Sequence, residues 1–226
     1  MSIRAKLYTA IVVVVAGLAL TAGVGIVAMS RLGDRFDAVE RASDARALAL
    51  QLKYDVTDFN GWQTAYGYDD GKSRPVYVAS FARFERDLAR ARAELRLARE
   101  QEILDRIESA TTDFARLDDA SWEALQAGRP DEVKRILLGP ELVIFQRAAS
   151  ASEELAAFES AQAVKQDKAF EDARADALRL LVLCSLVAGL LVFILLVTAS
   201  DLARLAEGRL EDEAQVVSAD TSEPVD

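Results

Sequence analysis

The sequence contains no histidine and a single cysteine, and both scarcities narrow the possible functions. Without histidine, the chain lacks the commonest general base, the commonest metal ligand and any phospho-accepting histidine. With Cys184 alone there is no disulfide framework, so a folded domain must be held together by packing. Gly-rich phosphate loops, metal-ligand clusters and Ser/His pairs are missing as well. The sequence therefore predicts no enzyme, no cofactor and no metal site.

Positive charge is also scarce, since 27 Lys and Arg stand against 37 Asp and Glu and give a formal net charge of −10. This balance provides no basic face, and we expect no nucleic-acid partner. Proline and glycine are few, with 4 and 11 residues, and several of them mark the turns between helical stretches. No strand pattern competes with the helical periodicity.

Two long apolar runs, 7–29 and 180–199, are the strongest positive feature of the sequence. Each reaches the roughly 20 residues that a helix needs to cross about 30 Å of hydrocarbon. We expect both to be transmembrane helices, with the bilayer as a partner. The alternative for the first run is a cleaved signal peptide. That alternative is disfavoured because the run exceeds the usual core of about 7–15 residues and no clean small-x-small cleavage site follows.

Charge next to the first run predicts the topology. Arg4 and Lys6 lie just before it, so the positive-inside rule places residues 1–6 in the cytoplasm. The second crossing returns the chain to the cytoplasm as a short acidic tail, 200–226, of which 211–226 is predicted to be disordered. Residues 30–179 then form one extracytoplasmic domain.

Apolar residues recur at steps of three and four through this domain, which predicts helices. The fold class predicted is all-α: an antiparallel up-down-up-down four-helix bundle flanked by two transmembrane helices. A short extra helix is expected before the fourth bundle helix. The turns and reversals are predicted at 69–75, 99–102, 128–130 and 139–140.

The outer helices of the bundle are longer than the inner ones, about 40 against about 26 residues. The part nearest the membrane is therefore expected to be a two-helix stalk that a second subunit completes. Gly17, Thr21 and Gly25 form a ridge of small residues on the first run, which favours close helix contact in lipid. A parallel homodimer is the prediction.

Two windows resemble the sensor half of bacterial methyl-accepting chemotaxis receptors. The window 55–70, DVTDFNGWQTAYGYDD, is similar to a segment late in the first helix of many such domains, and 127–163 is similar to their third-to-fourth-helix connection. The resemblance covers about residues 1–200. The family continues into a HAMP relay and a long signalling hairpin, whereas here only 202–210 faintly resembles a HAMP fragment. The resemblance thus implies a sensor half that lacks the cytoplasmic signalling domain.

That resemblance implies a multi-pass protein of the bacterial plasma (inner) membrane with its bundle on the extracytoplasmic side. It also implies a homodimer, or a mixed dimer with a full-length chemoreceptor. The expected function is a sensor that detects an extracytoplasmic small molecule or the state of the envelope and passes a helix shift to a partner receptor. The alternative is a non-sensing, membrane-anchored helical scaffold or adaptor.

Aromatic residues concentrate at the end of the predicted bundle that is farther from the membrane. Asp58, Trp62 and Tyr66 share one helix face, and antiparallel pairing through the first turn is expected to bring Asp58 near Arg86. We interpret this region as a candidate small-ligand pocket with aromatic walls, formed by Asp58, Trp62, Gln63, Tyr66 and Arg86. A packed core is the alternative, since aromatic stripes at helical spacing are usually core.

Overall fold

A computed structural model describes residues 3–220, with side chains placed for 8–200 and 203–204. The described chain is almost entirely helical and contains no strand, which confirms the all-α class. Five α-helices follow in order: α1, Ile3–Tyr68; α2, Arg74–Glu94; α3, Ala98–Gln126; α4, Pro130–Ile136; and α5, Leu142–Asp220. A π-helical segment, Leu137–Glu141, connects the last two.

The chain divides into two compact units, which we call the apolar unit and the polar unit. The apolar unit combines residues 1–34 with 171–226, as far as they are described, and the polar unit is 35–170. In the apolar unit, α1 and α5 each contain a stretch long and apolar enough to cross a membrane, and both stretches are exposed. These two helices are therefore compatible with transmembrane segments.

Within the apolar unit, α1 and α5 approach each other closely at one glycine. A Cβ atom added at Gly17 would overlap the side chain of Leu191, so only glycine permits this approach. Gly25 has no neighbour within 4 Å of such an atom, and the Thr21 hydroxyl donates to the carbonyl of Leu18 at 2.9 Å. Gly17 is thus engaged inside one chain, and the predicted dimer ridge stays a prediction.

The core of the polar unit draws on four helices, α1, α2, α3 and α5. Phe59 lies at its centre, with ring centroids 5.1 Å from Phe81, 5.2 Å from Phe84 and 5.0 Å from Phe114, all edge to face. Such pairs contribute about 0.5–1.5 kcal/mol each beyond the burial of their surface. Aliphatic side chains extend the core on one side of this cluster: Leu52, Val56, Leu88, Ile103, Ile107 and Leu155.

Apolar residues recur along α1 at steps of three and four, as predicted, and most of them are buried. Trp62 is the exception, and its predicted place in the core is wrong. Leu52, Val56, Phe59 and Tyr66 are buried, whereas the Trp62 residue is 38% exposed. Gln63 occupies the buried position instead, because steps of four and three from Phe59 lead to 63 and 66. One residue corresponds to about 100° around the helix axis, which is enough to turn a side chain from the core toward solvent.

The turn between α1 and α2 lies where the sequence predicts it, and Pro75 is in the first turn of α2. Asp70 and Gly71 both have positive φ, 59° and 83°. A Cβ atom on Gly71 would lie 2.8 Å from Cζ3 of Trp122, so this turn rests directly on the Trp122 ring. Glycine is required here for its conformation and for its size.

The reversal between α2 and α3 comes earlier than predicted. It occupies 95–97 rather than 99–102. Ala98 is the first residue of α3, and its side chain is exposed. The Glu100 carboxylate accepts a hydrogen bond from the Leu97 N–H at 2.7 Å and thereby caps α3. This arrangement resembles a capping box with Leu in place of the usual Ser or Thr, so the residue type at position 97 does not indicate it.

The connection to α5 is bent, as the prediction of an interruption at 139–140 requires. Gly139 is non-helical, with φ −112° and ψ −108°. The short helix expected before the fourth bundle helix is α4, which ends at Ile136. At the other end, α5 is described as a helix to Asp220, through part of the tail predicted to be disordered. Good helix formers such as Leu, Ala, Glu and Arg dominate 202–214. Residues 221–226 lie outside the described residues.

Candidate ligand-binding site

Three aromatic rings surround the guanidinium group of Arg74, the first residue of α2. Its central carbon lies 4.9 Å from the ring centroid of Tyr66, 4.8 Å from that of Tyr77 and 5.1 Å from that of Trp122. All three distances are within the range of about 6 Å for cation–π attraction. We call Tyr66, Tyr77 and Trp122 the Arg74 cage.

Asp118 on α3 provides the negative charge of this site. Its Oδ2 atom lies 2.5 Å from Nη1 of Arg74, and its Oδ1 atom accepts a hydrogen bond from the Tyr66 hydroxyl. The side chains of Arg74 and Asp118 are only 17% and 4% exposed. Burial raises the pKa of Asp118, against the opposing effect of its hydrogen bonds from Arg74 and Tyr66. The pair is therefore a nearly buried, hydrogen-bonded ion pair.

A second carboxyl group, Glu141, is buried close enough for its charge to interact with that of Asp118. The Ser121 hydroxyl lies 3.4 Å from Oε2 of Glu141, while Oε1 has no hydrogen-bond partner among the described residues. Burial, and next the charge of Asp118, raise the pKa of Glu141 to about 8. Glu141 is therefore protonated at neutral pH.

Gln63 is the remaining member of this region. It is buried, and its Nε2 atom has no partner that meets hydrogen-bond geometry among the described residues. Its amide nevertheless favours the ionised form of Glu141, which places the two groups near each other. Gln63, Asp118, Ser121 and Glu141 are called the buried polar cluster below.

A second arginine on α2 forms a different cluster with α1. Nε of Arg83 lies 3.0 Å from Oδ1 of Asp55, and Nη2 lies 2.8 Å from Oδ2 of Asp58. Asp58 also accepts hydrogen bonds from the Ser80 hydroxyl and, at 3.2 Å, from Nε1 of Trp62. The Arg83 side chain is 40% exposed, so water reaches this group. These five residues are called the Arg83 cluster.

The five residues proposed from the sequence divide between these two places. Asp58 and Trp62 lie in the Arg83 cluster, Gln63 lies in the buried polar cluster, and Tyr66 lies in the Arg74 cage. Arg86 is exposed, and the expected pairing with Asp58 is wrong. The arginine that pairs with Asp58 lies three residues earlier, because counting across the turn cannot fix the axial offset of two helices to within one helical turn.

Arg74, Asp118 and Glu141 escaped the sequence analysis. Arg74 precedes a proline in the predicted turn at 69–75. Asp118 lies among charged residues that are typical of a solvated helix face. A weak signal for Asp118 does exist: it lies four residues after Phe114, on the apolar stripe of α3. Glu141 follows Gly139-Pro140, and nothing in that pattern indicates burial.

Two cavities of the polar unit lie away from these clusters. One, of about 610 Å³, is a groove between α3 and α5, and the other, of about 400 Å³, lies between α2 and α3. Neither is lined by any of the five residues proposed from the sequence. The aromatic side chains around Arg74 and Phe59 are instead in mutual contact.

Another buried carboxyl pair joins α3 to α5. Glu100 and Glu159 are both buried, and Oε1 of Glu159 has no hydrogen-bond partner among the described residues. Burial, followed by the charge of Glu100, raises the pKa of Glu159 to about 7. The described residues contain no group of His, Cys, Asp and Glu side chains that could hold a metal ion.

No protein-family model, curated protein or solved structure matches this chain. The resemblance to the sensor half of chemotaxis receptors therefore stays a prediction that rests on the residues quoted for it.

Proposed function

We propose that this chain is a membrane-anchored, chemoreceptor-like sensor. Its helical domain would detect an extracytoplasmic small molecule or the state of the envelope and pass a helix shift to a partner receptor. The observation that carries the proposal is the Arg74 cage above the buried polar cluster. Buried polar groups in folded proteins nearly always have hydrogen-bond partners. Oε1 of Glu141 and Nε2 of Gln63 lack such partners among the described residues, which is unusual in a domain that serves only as a spacer.

The architecture proposed for the polar unit is the up-down-up-down four-helix bundle. Its support is a core shared by four helices, with connections of only a few residues at 69–73 and 95–97. Both chain ends are proposed to be cytoplasmic, in a bacterial inner membrane, because of Arg4 and Lys6. A reporter fused after Asp226 should be active only as a cytoplasmic fusion. Periplasmic-type activity from the same fusion would refute this topology.

The signal is proposed to leave through a dimer, either of two such chains or with a full-length chemoreceptor. Its support is the exposed apolar surface of the two stretches that are long enough to span a membrane, which lipid or another helix must cover. Single cysteines placed along 32–39 in a Cys184→Ser background should crosslink with helical periodicity. Co-purification from native membranes in mild detergent then separates the two forms of dimer, since a receptor is recovered only from the mixed one.

A non-sensing scaffold is the second candidate, and one observation favours it. Phe59 and the rings around it form a packed core, and none of the five residues proposed from the sequence lines either cavity. A scaffold needs such rigidity and has no use for a ligand site.

A thermal-shift screen of the full chain in mild detergent distinguishes these two functions. The compounds are amino acids, organic acids, sugars and small amines. Binding to the folded state raises the unfolding free energy by about 2.7 kcal/mol at 100 times the dissociation constant. A sensor of small molecules should respond to one class, and a Glu141→Gln variant should change that response. If no compound raises the melting temperature, the scaffold is the better account.

A further inference from the structure

We propose that the Arg74 cage is a binding site for a small organic cation of the guanidinium or alkylammonium type. Arg74 occupies this site as an internal substitute, and the ligand displaces it. The inference rests on the proposed sensor function and names the class of ligand.

The walls of the site have the chemistry that such a cation requires. Three rings offer their faces at 4.8–5.1 Å from the guanidinium carbon of Arg74, and Asp118 offers a nearly buried carboxylate. Desolvated cation–π contacts stabilise such an ion, and planar guanidinium groups suit both stacking and paired hydrogen bonds. An anion would instead meet the negative charge of Asp118, which disfavours organic acids as ligands.

Arg74 is placed so that it can leave. It is the first residue of α2, where the helix dipole disfavours a cation, and the first turn of α2 contains no acidic residue to compensate. Its side chain retains 17% exposure, so the site is open to solvent on the side where the arginine enters. The turn that carries it rests on Trp122 through Gly71, so release of Arg74 alters the surroundings of that indole.

Glu141 indicates that the site accepts more positive charge than Arg74 supplies. Its Oε1 atom has no hydrogen-bond partner among the described residues, the residue is 1% exposed, and the charge of Asp118 acts on it. A ligand with a second cationic group would favour the ionised form of Glu141 and pair with it. The amide of Gln63, which favours ionised Glu141, would then gain an acceptor. A dication is therefore expected to bind more tightly than a monocation.

The chain has two tryptophans, which makes a direct experiment possible. Trp62 lies in the Arg83 cluster, so a Trp62→Phe variant of the full chain keeps Trp122 as the single indole and reports on the cage. The protein in detergent is titrated with agmatine, putrescine or methylguanidinium, and with sodium chloride at equal ionic strength as the control. We expect a saturable change in Trp122 fluorescence, with agmatine binding about tenfold more tightly than methylguanidinium and no response to sodium chloride.

Removal of the internal competitor should tighten binding. In the Trp62→Phe background, Arg74→Ala is expected to lower the dissociation constant of agmatine at least about tenfold, because the competent state is no longer blocked. Arg83→Ala is the matched control and should leave that constant unchanged. If Arg74→Ala does not fold, Arg74→Lys replaces it, and a smaller gain in affinity is expected because lysine lacks the planar group.

Several results would overturn the proposal. One is the absence of any saturable response to the three cations. Another is a response confined to Arg74→Ala, which would make Arg74 a permanent part of the core. If amino acids, organic acids or sugars raise the melting temperature while Trp122 fluorescence stays constant, the cation site is refuted and the sensor function stands. If no compound acts in either assay, both are refuted.

Discussion

Arg74 and Arg83 lie nine residues apart on α2, and each binds aspartate, yet their surroundings differ. Arg74 is enclosed by three aromatic rings and is 17% exposed, whereas Arg83 is 40% exposed and has one ring, that of Tyr54, at 5.9 Å. The residue types are the same in both pairs. The surroundings of an ion pair, and not its residue types alone, therefore determine how much unfolding free energy is lost when one partner is removed.

The physical reason is hydration. When a buried ion pair loses one partner, the remaining charge stays in a medium of low dielectric constant, at a cost of about 3–5 kcal/mol. When an exposed pair loses one, water takes over the remaining charge, and the cost is about 0.2–1 kcal/mol. The Arg83 cluster falls between these limits because Asp55 is buried although its arginine is not.

The largest predicted difference between the two clusters is in unfolding free energy. Arg74→Ala should lower it by about 3–5 kcal/mol, because Asp118 keeps only the neutral hydroxyl groups of Tyr66 and Tyr77 as donors. Arg83→Ala should lower it by about 1.5 kcal/mol, the loss of charge-assisted hydrogen bonds that water partly replaces. Equilibrium unfolding of the full chain in detergent measures both. Equal losses would show that burial does not separate the clusters.

The next effect is the pH dependence of stability. Glu141 has a pKa of about 8 in the folded protein against 4.5 in the unfolded chain, so the folded state holds the extra proton between those values. Stability therefore falls as pH rises from 4.5 to about 8, by up to about 1.4 kcal/mol per pH unit. Glu141→Gln should remove most of this decline.

Glu159→Gln is the matched control for that experiment. The pKa of Glu159 is about 7, so this variant should remove only the part of the decline below that pH. The melting temperatures of the wild type and the two variants across this range give the measurement. A wild-type decline between about pH 7 and pH 8 that survives in Glu141→Gln would contradict the assignment.

A smaller difference is predicted between the two tryptophans. Trp122→Phe should lower the unfolding free energy by about 1–2 kcal/mol, because the indole contacts both Arg74 and the Gly71 turn. Trp62→Phe should lower it by about 0.5–1 kcal/mol, the value of one hydrogen bond to Asp58 at the surface. The same unfolding experiment measures both losses. A larger loss for Trp62→Phe than for Trp122→Phe would show that the indole in the Arg83 cluster contributes more to stability.

The smallest effect is expected at a third arginine of α2. Arg86 is exposed, and Asp58 pairs with Arg83 instead. Arg86→Ala should therefore change the unfolding free energy by less than about 0.5 kcal/mol. A loss as large as that of Arg83→Ala would restore the pairing predicted from the sequence.

The sequence predicted helices well because their signals are local. The end of α1 at Tyr68, the turn after it and the start of α2 near Pro75 follow from glycine, proline and apolar periodicity. The reversal between α2 and α3 is predicted at 99–102 but lies at 95–97. The start of α3 depends on the side chain of Glu100, which accepts a hydrogen bond from the backbone N–H of Leu97, and composition does not reveal this contact.

The candidate site was predicted in part. Tyr66 follows from aromatic spacing on α1 and belongs to the Arg74 cage, and Gln63, a candidate polar group of the predicted pocket, belongs to the buried polar cluster. Arg74, Asp118 and Glu141 come from three different elements, and their meeting depends on the axial offset and rotation of the helices. Periodicity within one helix carries no information on these quantities, so no sequence pattern could have brought the three residues together.

The sequence has no histidine, and the carboxyl groups of Glu141 and Glu159 have pKa values of about 8 and about 7. Proton uptake and release by these two groups can therefore be followed with few competing signals. With no imidazole in the chain, carboxyl groups with raised pKa values are the expected source of protons released near neutral pH. An infrared difference spectrum over this interval should therefore show the carbonyl bands of protonated carboxyl groups disappear with no imidazole bands beside them. Glu141 and Glu159 could then be followed individually, by substitution of one at a time, without isotopic labelling.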